Sequence, residues 1–214
     1  MDPQAHWEDI YRTKDLTELS WQQPEAGLSL ALIEELAPDR TAAVIDVGGG
    51  TSPLVDGLVA AGYRDVTVLD LAASALARAQ ARLGPERAGQ VSWLAADVCA
   101  APLASGRYDM WHDRAVFHFL TAPAARAAYV RQVRHAVRPG GLVLVATFAE
   151  DGPARCSGLP VARYSAAALH GAFGEDFALL RQLREVHHTP WGAPQPFTYC
   201  LCRYSPRTAR RDAA

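Results

Sequence analysis

Val44-Ile45-Asp46-Val47-Gly48-Gly49-Gly50-Thr51-Ser52 decides how this chain is read. The apolar run 42–47 is long enough for a buried strand, and it breaks abruptly into three consecutive glycines. Without Cβ atoms the turn lets a ligand lie against bare backbone. Thr51 or Ser52 is placed to cap a helix that tolerates Pro53 in its first turn. Strand, glycine turn and helix N-terminus together predict a nucleotide-type cradle. A phosphate-binding P-loop would need a Gly-Lys-Ser/Thr segment, and no lysine follows these glycines. A dinucleotide fingerprint aligned on Gly48 and Gly50 puts Pro53 where its third glycine belongs, which counts against a dehydrogenase. Asp46, inside the strand end, would also sit badly beside a pyrophosphate.

Strands and helices alternate on both sides of the cradle. Upstream, 28–36 reads as an amphipathic helix, and Trp7 and Tyr11 share one face of a short N-terminal helix. Those aromatics either cover the edge of the core or form a flap hinged near Ser20-Trp21-Gln22-Gln23-Pro24. Downstream, a helix over 52–61 ends at Gly62, and 66–70 is a second strand closing on Asp70. That acid lies about 20 residues beyond the glycines, the spacing at which such folds bind ribose hydroxyls; capping the next helix is the competing role. Helix 74–83 stops at Gly84-Pro85, and strand 91–98 contains Asp97. Strand 108–113 leads into Arg114-Ala115-Val116-Phe117-His118-Phe119-Leu120, which should face the ligand. Helix 123–137, a tight turn at Arg138-Pro139-Gly140-Gly141 and the apolar strand 142–148 follow. The pattern predicts a doubly wound α/β domain.

The C-terminal third changes character. Residues 151–160 form a long Gly/Pro loop of the kind used as a lid. Helix 166–173 and strands near 179–186 and 197–203 close the sheet, with His187, His188 and Trp191 on the loop between them. The expected division is an N-terminal arm (1–38), a cofactor-binding core (40–148), lid and substrate-side strands (149–204) and a disordered basic tail (205–214), all in one domain.

Half of the 214 residues are hydrophobic and the formal net charge is −2, so no partner such as nucleic acid or an acidic membrane is indicated. No signal pattern or membrane-length apolar run appears, and four cysteines make no disulfide framework, so a cytoplasmic monomer or homodimer is expected. Cys200 and Cys202 alternate on one strand face as small buried hydrophobes. With His187 and His188 they lack metal-binding spacing, and no metal is expected.

The stretch 44–52, Asp70, Asp97, 108–120 and Arg138-Pro139-Gly140-Gly141 together resemble the class I S-adenosylmethionine (SAM) methyltransferases over roughly residues 40–150. The resemblance implies a Rossmann-like, mostly parallel seven-stranded sheet whose last strand is antiparallel, with SAM across the first strand ends and S-adenosylhomocysteine as product. Gly48, Gly49 and Gly50 would back the methionine moiety beside Ser52, with Asp46 near its ammonium. Asp70 and Leu71 would hold the ribose, Asp97 and the Val98 N–H the adenine, and Trp21 would cover the site. Asp113-Arg114-Ala115, with Ser20-Trp21-Gln22, is similar to the thiopurine/thiol methyltransferase branch. The base-methylating Asn/Asp-Pro-Pro-aromatic motif and the lysine-methylating Asp-Lys-Gly motif are absent.

Methyl transfer is an in-line displacement whose thioether leaving group needs no acid. A base matters only for an acceptor protonated at working pH, and a thiol needs little help. His112, Asp113 and His118 are the candidate catalytic residues, although His112 and Asp113 should point to opposite strand faces. Arg114 binds an acidic acceptor or pairs with Asp113. Phe117, Arg163 and Trp191, with Phe119, Tyr164, Gln195 and Phe197, are further acceptor candidates. The expected function is methyl transfer to a small molecule, with a soft S or Se acceptor favoured. A protein-lysine methyltransferase and a non-catalytic SAM-binding regulatory subunit are the alternatives.

Overall fold

A computed structural model describes residues 2–206. Its strands are β1 (Ala43–Val47), β2 (Asp65–Asp70), β3 (Val91–Ala95), β4 (Tyr108–Arg114), β5 (Val137–Phe148), β6 (Arg155–Cys156), β7 (Leu159–Pro160), β8 (Phe177–His188) and β9 (Pro194–Tyr204). Its helices are α1 (Pro3–Thr13), α2 (Gly27–Leu36), α3 (Leu54–Ala60), α4 (Ala73–Leu83), α5 (Pro85–Ala88), α6 (Pro123–Ala136) and α7 (Ala166–Phe173). The main sheet runs β3-β2-β1-β4-β5-β9-β8, with β9 antiparallel to both neighbours and the other pairs parallel. This is the doubly wound architecture expected from the alternation of elements. The strand order reverses between β1 and β4, and open α/β sheets bind ligands at such a switch point.

Helices cover both faces, so all five residues of β1 are buried and the strand reads as a continuous apolar run. Ile45 and Trp111 pack on the face of α6 and α7. Val44 and Met110 pack on the opposite face against α2 and α3.

Several boundaries differ from the sequence expectation. β3 ends at Ala95, so Asp97 stands in the loop beyond it. The expected turn at 138–141 lies inside β5, where Gly140 at φ +84° accommodates an irregularity while Val137 still pairs with Tyr108. β8 and β9 are longer than read, so His187 and His188 sit on a strand opposite Gln195 and Pro194. Backbone pairing between the two strands overrides the Pro and His signals of a loop. The Gly/Pro segment 151–160 folds into a small β6–β7 hairpin turning at Ser157 and Gly158. Among the described residues no helix is long and apolar enough to cross a membrane. The basic residues Arg207, Arg210 and Arg211 lie outside the described residues.

Candidate active site

The glycine turn folds back onto the adjacent strand. The Gly48 and Gly49 N–H groups donate to Leu69 O at 2.7 and 3.2 Å. A Cβ on Gly49 would stand 2.5 Å from Val68 Cγ1 and 2.7 Å from Asp46 Oδ2, and one on Gly50 would stand 2.7 Å from the Tyr11 hydroxyl. Ser52 Oγ accepts from Leu54 N at 3.2 Å, but the helix is capped by Pro53, without the side-chain cap from Thr51 or Ser52 that the sequence suggested.

Asp46 and His112 are cross-strand neighbours on β1 and β4. His112 Nδ1 lies 2.7 Å from Asp46 Oδ1, and Nε2 lies 2.9 Å from Ser29 Oγ on α2. This leaves Asp46 Oδ2 buried and without a partner. The pair lines a small cavity of about 40 Å3 together with Gly48, Gly49, Ser52 and Arg114.

Asp70 is 7% exposed at the tip of β2, and its Oδ1 accepts from Ala72 N at 2.8 Å. Burial pushes its pKa up to about 7, with the Asp46 carboxylate adding to the rise and backbone N–H donors opposing it. Asp97 is exposed and accepts from Cys99 N at 2.8 Å. Asp70, Leu71, Asp97 and Val98 line one part of a cavity of about 500 Å3. Gly48, Arg114, Phe119, Cys156, Leu159 and Pro160 continue its wall, and Trp7, Tyr11 and Trp21 belong to it as well.

The N-terminal arm is fastened at this cavity by reciprocal helix capping. Glu8 Oε1 accepts from Ala73 N at 2.6 Å at the start of α4, while Arg78 Nη1 donates to the Tyr11 and Lys14 carbonyls at the end of α1. Trp7 meets Trp21 and Phe119 edge to face at 5.6 and 5.1 Å.

The structure gives most of the expected acceptor residues other partners. His112 is held by Asp46 and Ser29 on the α2 face and offers no free nitrogen to an acceptor. Asp113 faces the other way, is fully buried, and accepts from Val116 N, Phe117 N and the Tyr129 hydroxyl. His118 is fully buried, and its Nδ1 accepts from Phe148 N at 3.3 Å. Burial lowers its pKa to about 3, so it stays neutral. Arg114 does not pair with Asp113, because strand alternation turns it towards Tyr199 and Glu185. Phe117 packs in the core against Tyr129, Tyr164 and Phe173. Arg163 is exposed and donates to Gly152 O. Trp191 is 60% exposed at the β8–β9 hairpin tip, and none of these three residues lines either cavity. His187 is tied to Ser20 O at 2.8 Å. Sequence reasoning missed the cavity position of Cys156, whose only local signal was a Gly-rich loop, whereas Trp7 and Tyr11, read as either a core cover or a flap, both line the larger cavity.

A family model described as a methyltransferase domain matches residues 44–141. The chain is 33% identical over 122 residues to a ubiquinone/menaquinone biosynthesis C-methyltransferase of Methylobacterium nodulans, a match covering 55% of this chain and 47% of that protein. These matches support a class I SAM-dependent methyltransferase. It spans about half the length of that curated relative.

Solved structures share the fold across nearly the whole chain. A structure solved for the conversion of a disulfide bond into a thioacetal group during echinomycin biosynthesis superposes with TM-score 0.77 at 20% identity, covering 98% of this chain and 96% of that one. The 1,6-didemethyltoxoflavin-N1-methyltransferase of Burkholderia thailandensis, with bound 1,6-didemethyltoxoflavin and S-adenosylhomocysteine, gives 0.65 at 19%, covering 94% and 84%. A SAM-dependent methyltransferase of Anabaena variabilis gives 0.72 at 14%, covering 95% and 96%. The residues present suit the family's cofactor: bare glycine backbone adjoins a buried carboxylate oxygen that has no partner of its own.

Proposed function

We propose that this SAM-dependent methyltransferase moves the sulfonium methyl group to a small molecule through a sulfur or selenium acceptor. The observation that carries the small-molecule reading is the cavity of about 500 Å3, to which the arm residues Trp7, Tyr11 and Trp21 contribute. A protein side chain would need an open cleft, and the N-terminal arm is fastened across this one.

Asp46 Oδ2 would accept the cofactor ammonium, the Gly48–Gly50 backbone and Ser52 would back its methionine moiety, and Trp21 would cover it. Asp70 and Leu71 would hold the ribose, with Asp97 and the Val98 N–H at the adenine. Bound SAM supplies an electrophilic methyl whose leaving group is a neutral thioether. What the chain contributes is alignment and exclusion of water. His112 and Asp113 are held by buried partners and His118 lines neither cavity, which favours an acceptor that brings an already populated nucleophile. A thiol or selenol does so near neutral pH, and a neighbouring guanidinium favours its anion. The echinomycin relative, which also works at sulfur, supports this choice.

Calorimetric titration with SAM, S-adenosylhomocysteine and NAD tests the cofactor, and labelled methyl transfer to thiols, phenols and amines tests the acceptor. SAM binding and labelled thiols are expected. Transfer to phenols or amines alone would remove sulfur from the reading.

SAM affinity should also depend on pH through Asp70. Its carboxylate must be ionised to accept two bonds from the ribose diol, and in the free protein its pKa stands at about 7. Binding therefore releases a proton, and affinity rises as pH increases from about 6 to 8. Calorimetry in buffers of different ionisation heat reads that proton directly; a pH-independent affinity would exclude the linkage.

A further inference from the structure

We infer that the acceptor carries an oxyanion, a carboxylate or its equivalent, set apart from the reacting atom, and that Arg114 receives it while Tyr199 and Glu185 act as positioning residues. This rests on the methyltransferase reading of the cavity and names the charge class of its acceptor.

Across the sheet the strand tips carry Asp97 beyond β3, Asp70 on β2, Gly48 after β1 and Arg114 on β4. Arg114 therefore stands on the far side of the glycine turn from the two acids assigned to adenosine. Its side chain is 9% exposed. The guanidinium lies 4.2 Å over the Phe197 ring, and Nε donates to the Tyr199 hydroxyl at 3.2 Å. That hydroxyl donates to Glu185 Oε2 at 2.7 Å, and the same oxygen is 3.8 Å from Arg114 Nε. Nη2 is buried and has no partner. Arg114 lines both the larger and the smaller cavity.

A guanidinium cannot shed its charge, and a buried N–H without an acceptor is costly. Glu185 answers that charge only in part, because its near oxygen already accepts from Tyr199. Ring stacking and the Nε bond orient the guanidinium plane before any ligand arrives, so an oxyanion would bind with little reorganisation. Trp7, Phe119, Leu120, Leu159 and Pro160 make the rest of this wall apolar. The cavity thus suits an apolar body bearing one acid.

The test uses the full chain saturated with S-adenosylhomocysteine, with ligand binding read by quenching of tryptophan fluorescence, so no turnover is required. The probes are 2-mercaptobenzoate, its methyl ester and benzoate. In the wild type 2-mercaptobenzoate should bind on the order of 10–100-fold tighter than the ester, the range of one charge-assisted hydrogen bond, and benzoate should also bind. Arg114→Gln should erase the preference without changing affinity for S-adenosylhomocysteine, and Arg114→Lys should keep part of it. Equal or absent binding of acid and ester to the wild-type complex overturns the inference whatever the variants do. So does an Arg114→Gln that weakens S-adenosylhomocysteine as much as the acid, because Arg114 would then serve the cofactor. Failure of S-adenosylhomocysteine itself to bind the wild type would instead sink the underlying reading.

Discussion

Gly48→Val abolishes SAM binding: a titration that gives clear heat with the wild type gives none with the variant, a loss of at least about 100-fold. Gly48 has φ +68°, and a Cβ there would stand 2.0 Å from Val116 Cγ2. A left-handed conformation costs a residue with a Cβ roughly 1–2 kcal/mol before any clash is counted. Val116 has little room to retreat. It is β-branched, its N–H donates to Asp113 Oδ1 at 2.9 Å, and it follows Ala115 at φ 75°. The turn must open instead, pulling the Gly48 and Gly49 N–H groups off Leu69 O and displacing the backbone that would back the methionine moiety. Gly62→Val is the control, since its φ is +89° but nothing lies within 4 Å of the added Cβ. It should lower stability and leave SAM affinity intact. A Gly48→Val protein that binds SAM nearly as well as the wild type would show that the glycine turn does not contact the cofactor.

Asp113→Ala destabilises the protein rather than disarming it. The carboxylate accepts from Val116 N at 2.9 Å, Phe117 N at 3.1 Å and the Tyr129 hydroxyl at 2.6 Å. Tyr129 in turn accepts from Trp111 Nε1 at 2.9 Å, so Asp113 terminates a buried chain of donors. Each orphaned buried donor costs about 1–3 kcal/mol, and the variant should lose about 3 kcal/mol or more. At roughly 2–4 °C per kcal/mol for a chain of this size, Tm should fall by about 10 °C. A catalytic acid would behave in the opposite way, losing turnover at unchanged Tm. The pH dependence separates the two further. Burial, opposed by the Tyr129 hydrogen bond, pushes the Asp113 pKa up from 3.8 to about 6. A raised folded-state pKa gives stability that is complete below about pH 4 and lost as pH rises through about 6. Wild-type stability should therefore fall across that window, and Asp113→Ala should flatten this part of the slope in denaturant titrations at successive pH values.

That the residues proposed for the cofactor would share one end of the sheet was legible because their signals are local. An apolar run, three glycines and an acid at the right distance each act within a few residues of themselves, and Gly48, Asp70 and Asp97 all line the cavity. The surroundings of the residues proposed for the acceptor were less legible, because they are defined by what lies across the sheet. His112 reads as a free imidazole until the β1–β4 register sets it opposite Asp46 and α2 brings Ser29 to its other nitrogen. Arg114 reads either as a contact for an acidic acceptor or as a partner of Asp113, its neighbour in sequence. Strand alternation instead sends Asp113 to α6 and Arg114 to residues 71 and 85 positions later on β8 and β9. Tyr11 and Cys156 lie 145 residues apart in the chain and share a cavity only after the arm and the β6–β7 hairpin have docked.

The sequence by itself determined the doubly wound sheet, the place of the glycine turn and the acids at the strand tips, because periodicity and backbone conformation are properties of short segments. Tertiary structure alone decided which polar side chains stay free to meet a ligand. That outcome depends on burial and on partners brought together from distant segments, and here it tied His112 and Asp113 to buried partners and left Arg114 Nη2 and Asp46 Oδ2, both at a cavity wall, without one.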